Sequence, residues 1–372
     1  MNIVFVLENY FPNIGGVESL FKSLVESLAK EGHEITIITS RITPTSPLKE
    51  KNGAITIRRM PFNNRYLFTI LGFFYALPYI RQCHLVHTTS YNAAIPAFFA
   101  AKFFSKKVII TFHEVWGELW NQLPYMGKLG KIVHSLFEQF LLKLPFNHFV
   151  GVSKSTTTNL IKAGLKKEKV STIYNGIDYT EFEADATSVI KKPNKFTFTY
   201  FGRLGISKGL DLLMEAIPII QAKYPDSQVK LIVPKVPVSF LKKITEFIQQ
   251  HQLTDYVILK HHLSFENLKK EIRASHCVVI PSYSEGFCFA AVETIALGTP
   301  LISSDQTALK EVVCGQFIKM ENCSLNGLVS AMEKAKQGQW EKTPIKKFEL
   351  KETIKQYTQL YEQVLKLSLI HI

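Results

Sequence analysis

Pro281-Ser282-Tyr283-Ser284-Glu285-Gly286-Phe287-Cys288-Phe289-Ala290-Ala291-Val292-Glu293-Thr294-Ile295-Ala296-Leu297-Gly298-Thr299-Pro300 is the stretch that decides the fold of this 372-residue chain. Ahead of it Val278–Ile280 is a short β-branched run, and behind it Leu301–Ile302 is another. Between them a loop precedes an apolar helical segment, Phe289–Leu297. Strand, loop, helix and strand make a βαβ unit of a parallel sheet. Working outward, strands are expected at Phe196–Phe201, Val229–Val233, Tyr256–Leu259 and Phe317–Ile318. Helices fit at Gly209–Lys223, Val238–Gln250, Phe265–Ala274 and Leu325–Lys336. The first half alternates in the same way, with strands at Ile3–Leu7, Ile35–Thr39, Leu85–His87, Val108–Phe112, His148–Val152 and Val170–Tyr174, and a helix over Val17–Lys30. The alternation pauses at the polar stretch Ala184–Lys195. The pattern predicts an α/β chain of two Rossmann-like doubly wound domains, 1–188 and 189–345, followed by a helical segment over 346–372.

Composition narrows the possibilities. Hydrophobic residues at 46% and charged residues at 20% exclude a disordered chain. There are 44 Lys and Arg against 31 Asp and Glu, a net charge of +13, which points to an anionic partner. The excess is local. Residues 51–167 hold fifteen Lys or Arg and three Glu, an excess of twelve, among aromatics that include Phe98-Phe99, Phe103-Phe104, Trp116 and Trp120. No basic segment precedes the apolar run that ends at Glu8, so no secretory leader is expected. Tyr66–Ile80 is too short to span a bilayer. A cytoplasmic protein is expected. The five cysteines are odd in number and lack CxxC spacing, which argues for reduced thiols and against a zinc site.

Three loops carry chemistry. Phe11-Pro12-Asn13-Ile14-Gly15-Gly16-Val17-Glu18 joins the first strand to the first helix. Gly15 and Gly16 let backbone approach a ligand, and a helix start offers free amides to phosphate. Two glycines alone fit a plain turn equally well. Phe201-Gly202-Arg203-Leu204-Gly205-Ile206-Ser207-Lys208-Gly209-Leu210 occupies the same place in the second half. A guanidinium and an ammonium flanking a helix start suit a diphosphate, and the spacing is not that of a Walker loop. In the third loop, Glu285 and Glu293 lie eight residues apart. Carboxylates accept hydrogen bonds from sugar hydroxyls, and Glu293 sits on an otherwise apolar helix where a carboxylate needs a partner.

These residues together resemble the retaining glycosyltransferases of family four, the glycosyl transferases group 1, with the GT-B fold. The marker is Glu-x7-Glu in PSYSEGFCFAAVETIALGTPLI; FPNIGGVE, GVSKS, YNGID and GRLGISKG add to it, and the resemblance runs over essentially the whole chain. It implies two Rossmann-like domains facing a central cleft, with the C-terminal helix returning to the N-terminal domain. It implies that Arg203 and Lys208 neutralise a donor diphosphate, with Gly202 in the same loop, and that Glu293 binds the ribose. Glu285 would contact the transferred sugar, with the amides of Gly286, Phe287 and Cys288 on its hydroxyls. His113 would contact the sugar, and Gly15 and Gly16 would approach the diphosphate. Three departures stand out. Cys288 replaces the second glycine of EGFG, Thr307-Ala308 replaces a Gly-Gly pair, and Gly205 replaces a bulkier residue.

The resemblance implies sugar transfer from a nucleotide sugar to a glycan or lipid-linked acceptor, in cell-surface polysaccharide, lipopolysaccharide or glycolipid synthesis. No side-chain base or nucleophile stands out, so orientation and leaving-group stabilisation carry the expected mechanism. No Asp-x-Asp motif occurs, and no metal or other cofactor is expected. Helix Lys128–Leu144 has an apolar stripe that by itself fits packing on the sheet. The basic, aromatic region around it suggests docking on an anionic membrane surface from the cytoplasmic side. Nucleic acid is not an expected partner, because no recognition motif accompanies the charge. Two competing readings are a non-catalytic nucleotide-sugar-binding protein and a sugar-nucleotide epimerase of the same fold.

Overall fold

The computed structural model describes residues 1–13, 15–122, 126–183 and 190–366. Two compact units share the chain. The first runs to Gly176 and includes the helix Leu350–Lys366; the second runs from Ile177 to Glu349.

In the first unit the strands are β1 (Asn2–Val6), β2 (Glu34–Ser40), β3 (Lys49–Asn52), β4 (Ile55–Met60), β5 (Leu85–Thr89), β6 (Lys107–Phe112), β7 (His148–Gly151) and β8 (Val170–Thr172). Their order is β3-β4-β2-β1-β5-β6-β7-β8, parallel except for the β3–β4 pair. Alternate side chains point to opposite faces. On one face Val4, Val6, Val86, Val108 and Ile110 pack with the helices Arg65–Ile80, Ala94–Phe103, Lys128–Lys143 and Lys154–Lys162. On the other, Phe5 and His87 meet Phe21 of the helix Gly16–Lys30, and His87 meets Tyr357 and Tyr361.

That second face explains why the last helix belongs to the first unit. Its periodicity buries Tyr357, Leu360, Tyr361 and Val364. A polar chain threads the apolar contact. His87 Nδ1 lies 2.6 Å from Tyr361 Oη, His87 Nε2 lies 2.8 Å from Thr111 Oγ1, and Thr111 Oγ1 lies 3.0 Å from Tyr357 Oη. Burial, and then His113, hold the His87 pKa down to about 3.

The second unit holds β9 (Phe196–Phe201), β10 (Ser227–Ile232), β11 (Val257–Lys260), β12 (Cys277–Ile280), β13 (Leu301–Ser303), β14 (Gly315–Lys319) and β15 (Glu341–Thr343). Their order is β11-β10-β9-β12-β13-β14-β15, parallel except for β15. Both units are thus Rossmann-like α/β layers.

Two sequence expectations are adjusted. The change of unit falls at Gly176–Ile177, ahead of 188, and the last helix begins at Leu350. Ile177, Tyr179 and Phe182 are buried and tie their segment to the second unit. Ile177 N–H donates to the Phe348 carbonyl at 2.9 Å, and the Phe182 ring meets Phe265 edge-on. Polar composition marks exposed chain rather than the point where contacts change, and residues 184–189 of that polar stretch lie outside the described residues. The strand β4, Ile55–Met60, is not among those expected, although its Ile-Thr-Ile start alternates. The strands β3 and β15 are not expected either, because Lys-Glu-Lys-Asn and Glu-Lys-Thr carry no apolar alternation. Both are antiparallel, wholly exposed edges, where charge blocks further strand pairing.

Tyr361→Phe leaves His87 Nδ1 buried without its partner and is expected to lower unfolding stability by about 1–3 kcal/mol in urea titrations. The His87 shift has a definite sign. The unfolded ring gains a proton below its ordinary pKa of 6.5 and the folded ring only near 3. Stability is therefore retained above pH 6.5 and lost as pH falls through that window, and His87→Phe should flatten part of the acid limb.

Candidate functional site

In the second unit the chain leaves β9 towards β10 and β11, then returns to β12 on the other side of β9. The loops after β9 and β12 therefore meet at a topological switch point, where a crevice opens at the carboxyl ends of the strands. They are the loops that carry Arg203 and Lys208, and Glu285.

Contacts lock them together. Gly209 has φ +64°, and a Cβ there would lie 1.9 Å from the carbonyl oxygen of Pro281, so only glycine fits. Tyr283 N–H donates to the Ser207 carbonyl at 2.8 Å, and Tyr283 Oη donates to Asp211 Oδ2 at 2.7 Å. Lys208 Nζ reaches Glu285 Oε2 at 2.8 Å, and Ser282 Oγ donates to Oε1 of the same carboxylate at 2.8 Å. Glu285 is buried and engaged at both oxygens. Arg203 is exposed, with no ion pair among the described residues. Gly202, at φ +147°, is exposed beside it.

A third loop, after β13, holds the second in place. Ser304 Oγ donates to the Ser282 carbonyl at 2.5 Å. Thr307 Oγ1 accepts from the Glu285 amide and donates to its carbonyl, both at 2.8 Å. Thr307 sits at φ +46°, a left-handed conformation that is strained for a β-branched residue. The Thr-Ala that departs from Gly-Gly is thus a clamp on the backbone of Glu285.

The helix Phe289–Ala296 starts directly beyond. Among the described residues the amides of Gly286, Phe287 and Cys288 carry no hydrogen bond, and they precede a helix N-terminus. Cys288 has φ +75°, which explains why a glycine suits this position in the family pattern. Burial, and then Glu285, push its thiol well above the usual range, and Glu293 adds to the effect. Glu293 itself has no hydrogen-bond or ion-pair partner among the described residues. Burial, and then Glu181, raise its carboxyl to about 7.

The first unit holds the remaining residues. Gly15 and Gly16 follow β1, next to its own switch point between β1 and β5. The space beside Gly15 is filled: a Cβ there would lie 2.5 Å from Glu18 Oε2. Glu18 is buried, accepts from Asn13 Nδ2 at 2.7 Å and has no partner for Oε2 among the described residues. Ile14 of the same motif lies outside the described residues. His113 directly follows β6, half-buried against the Phe21 ring. The loop after it is held by buried Glu138, which accepts from Trp116 N–H at 3.0 Å, Gly117 N–H at 2.7 Å and Tyr91 Oη at 2.9 Å. Sequence reading missed Ser282, Thr307 and Glu138 as supports. Thr307 was visible only as a departure from the family pattern, and Glu138 only as a rare acid in a basic region. Among the described residues, no three His, Cys, Asp or Glu side chains gather as a metal-ligand set.

Glu293 yields a test that needs no ligand. Folded, it keeps its proton up to about pH 7; unfolded, only to its ordinary 4.5. Stability therefore falls as pH rises through that interval. Glu293→Gln is expected to stabilise the ligand-free protein at pH 8 by about 1–2 kcal/mol, after discounting for residual exposure, and the gain should vanish towards pH 4.5 in melting curves.

Comparison with known proteins gives the family and the fold. Glycosyltransferase Family 4 is matched over residues 14–181, and Glycosyl transferases group 1 over residues 181–359. The chain is 27% identical over 344 residues to a human protein that forms part of phosphatidylinositol N-acetylglucosaminyltransferase, covering 90% of this chain and 68% of that protein. Sucrose-phosphate synthase from Thermosynechococcus elongatus superposes with a TM-score of 0.80 at 20% identity, over 98% of this chain and 99% of that one. Anabaena HepE in complex with UDP-glucose superposes with a TM-score of 0.70 at 15% identity, over 98% of this chain and 100% of that one. These structural neighbours share the GT-B fold. With its two matched regions joined at residue 181, the chain belongs to the family 4, group 1 glycosyltransferases.

Proposed function

We propose that this glycosyltransferase is a retaining enzyme that moves a sugar from a nucleotide sugar to a glycan or lipid-linked acceptor in cell-surface polysaccharide or glycolipid synthesis. The observation that carries the reading is the switch point of the second unit. There the Lys208–Glu285 pair at 2.8 Å lies beside the free amides of Gly286–Cys288, on the helix that carries the unpartnered Glu293.

The chemistry follows from the groups present. A nucleotide sugar brings a diphosphate, a ribose and a sugar, each with its own demand. Arg203 and Lys208 supply positive charge to the diphosphate as it leaves, which lowers the barrier by electrostatic stabilisation. Glu293 accepts from the ribose hydroxyls, and a bound ribose gives that carboxylate the donors it lacks. Glu285, held by Ser282 and Thr307, orients the sugar, with the amides of Gly286, Phe287 and Cys288 on its hydroxyls. His113 is proposed to contact the same sugar, and Gly15 and Gly16 to approach the diphosphate. In the retaining course the leaving phosphate takes the acceptor's proton while acceptor oxygen and leaving oxygen share one face of the sugar. The protein then contributes orientation and charge rather than a nucleophile. Two cations at the diphosphate make a metal unnecessary in this scheme. A lipid-borne acceptor is supported by the name of the human relative's enzyme, a phosphatidylinositol N-acetylglucosaminyltransferase.

A thermal-shift panel of UDP-, GDP- and ADP-sugars, run in EDTA, is expected to give one clear stabilising donor. Lys208→Ala should remove most of that shift and lower donor hydrolysis at least a hundredfold. Stabilisation without hydrolysis or transfer would instead mark a nucleotide-sugar-binding protein, and no stabilisation by any donor would remove the reading. Thr307→Ala, which loses both bonds to the Glu285 backbone, is expected to lower kcat about tenfold with little change in nucleotide affinity. Thr307→Ser should restore it, and a matching loss in both variants would show that the hydroxyl does not position Glu285.

A further inference from the structure

The helices Arg65–Ile80, Ala94–Phe103 and Lys128–Lys143 form one layer, because their inward residues belong to a single core against one face of the first sheet. Their outward sides are apolar. Tyr66, Ile70 and Phe74, spaced by four, are exposed on the first helix, and Phe99 and Phe103, also spaced by four, on the second. The Phe73 and Phe103 rings touch edge-on and join the two.

Lys128–Lys143 carries the clearest pattern. Leu129, Ile132, Val133, Leu136 and Phe140 form a single stripe at helical spacing, and all are exposed, Leu129 to 75%. The sequence pattern, with apolar residues at 129, 132, 133, 136, 137, 140, 141 and 144, fits packing on the sheet, and part of it does pack. Leu141 and Leu144 are buried in the core of the first unit and Phe137 is half-buried against it, with Glu138 and Leu142 also turned inward, while the five residues above face outward. Lys128 and Lys143 flank the stripe in solvent. Lys102 is exposed on the second helix and Arg81 just past the end of the first, while Arg65, also exposed, pairs with Glu8 at 3.3 Å. Of the three glutamates in residues 51–167, Glu138 is buried under its three donors and contributes nothing to the outer surface.

We infer that this layer is a docking face for an anionic lipid bilayer, with Lys128–Lys143 lying in the headgroup region. Apolar side chains at such a helix enter the acyl boundary while the flanking cations meet lipid phosphates. The combination selects the occupant. A second copy would set two faces with the same positive excess against each other. A nucleic acid would use the cations and leave the apolar stripe in water. No described helix is long and apolar enough to cross a membrane. The inference deepens the lipid-linked acceptor proposed above and rests on it only for its purpose.

The test is co-sedimentation of the full chain with phosphatidylcholine vesicles, with and without phosphatidylglycerol. Binding is expected to favour the anionic vesicles at least tenfold and to weaken with salt. Leu136→Ser with Phe140→Ser should lower it about tenfold, and Lys128→Gln and Lys143→Gln about fivefold each. All four positions are exposed, so unchanged melting curves confirm intact folding. No pelleting, or equal binding to neutral and anionic vesicles, would overturn the inference. So would concentration-dependent self-association that Leu136→Ser with Phe140→Ser abolishes, which would give the face to a second copy. Nucleotide-sugar stabilisation measured without vesicles separates the two readings, since it survives failure of the membrane face and fails only with the transferase proposal.

Discussion

The carbonyl oxygen of Pro281 lies where a side chain on residue 209 would begin. The meeting of the two loops in the second unit depends on that approach. Gly209 turns left-handed and starts the helix Leu210–Lys223 directly beneath the loop after β12. The turn brings Ser207 to the Tyr283 amide and Lys208 to Glu285. A residue with a Cβ would push the loops apart, and the cation and carboxylate would separate with them. Lys208 and Glu285 stand 77 residues apart in sequence. The switch point between β9 and β12 explains why their loops are neighbours at all.

The electrostatics of the site follow from the same closeness. Lys208 is held by a carboxylate that is itself fixed by Ser282 and by the Thr307 grip on its backbone. A charge held this way loses little further freedom when an anion arrives, which is the physical content of preorganisation. Glu293 presents the opposite case. Its carboxyl is desolvated with nothing to accept, so its pKa rises. One carboxylate is thus fully supported and the other destabilised, and the destabilised one gains most from a ligand rich in hydroxyl groups.

Much of this was legible before the structure. The central strands of both sheets announced themselves by β-branched runs, and the turn glycines and paired carboxylates marked the loops that meet. What stayed hidden has physical causes. The edge strands β3 and β15 are charged and exposed, so burial left no pattern in them. The change of unit at Ile177 rests on the bond of Ile177 to Phe348 and the contact of Phe182 with Phe265, pairings far apart in sequence that no local pattern marks. Thr307 drew notice only for not being glycine, because a hydroxyl that bonds backbone has no periodicity to read. The stripe on Lys128–Lys143 was legible only in part for a different reason: spacing shows that a helix has an apolar side but not how much of that side turns inward, and here Leu141 does while Leu129, Ile132, Val133, Leu136 and Phe140 do not.

Glu138 lies on the inward side of that helix with Leu141 and Leu142. Its carboxylate gathers Tyr91 after β5 and the Trp116 and Gly117 amides after β6. The helix with the outer stripe and the segment following His113 therefore share one carboxylate. Two of those bonds, from the Trp116 and Gly117 amides, tie the helix with the exposed stripe to the histidine's own loop, so a substitution at Glu138 would disturb both places at once.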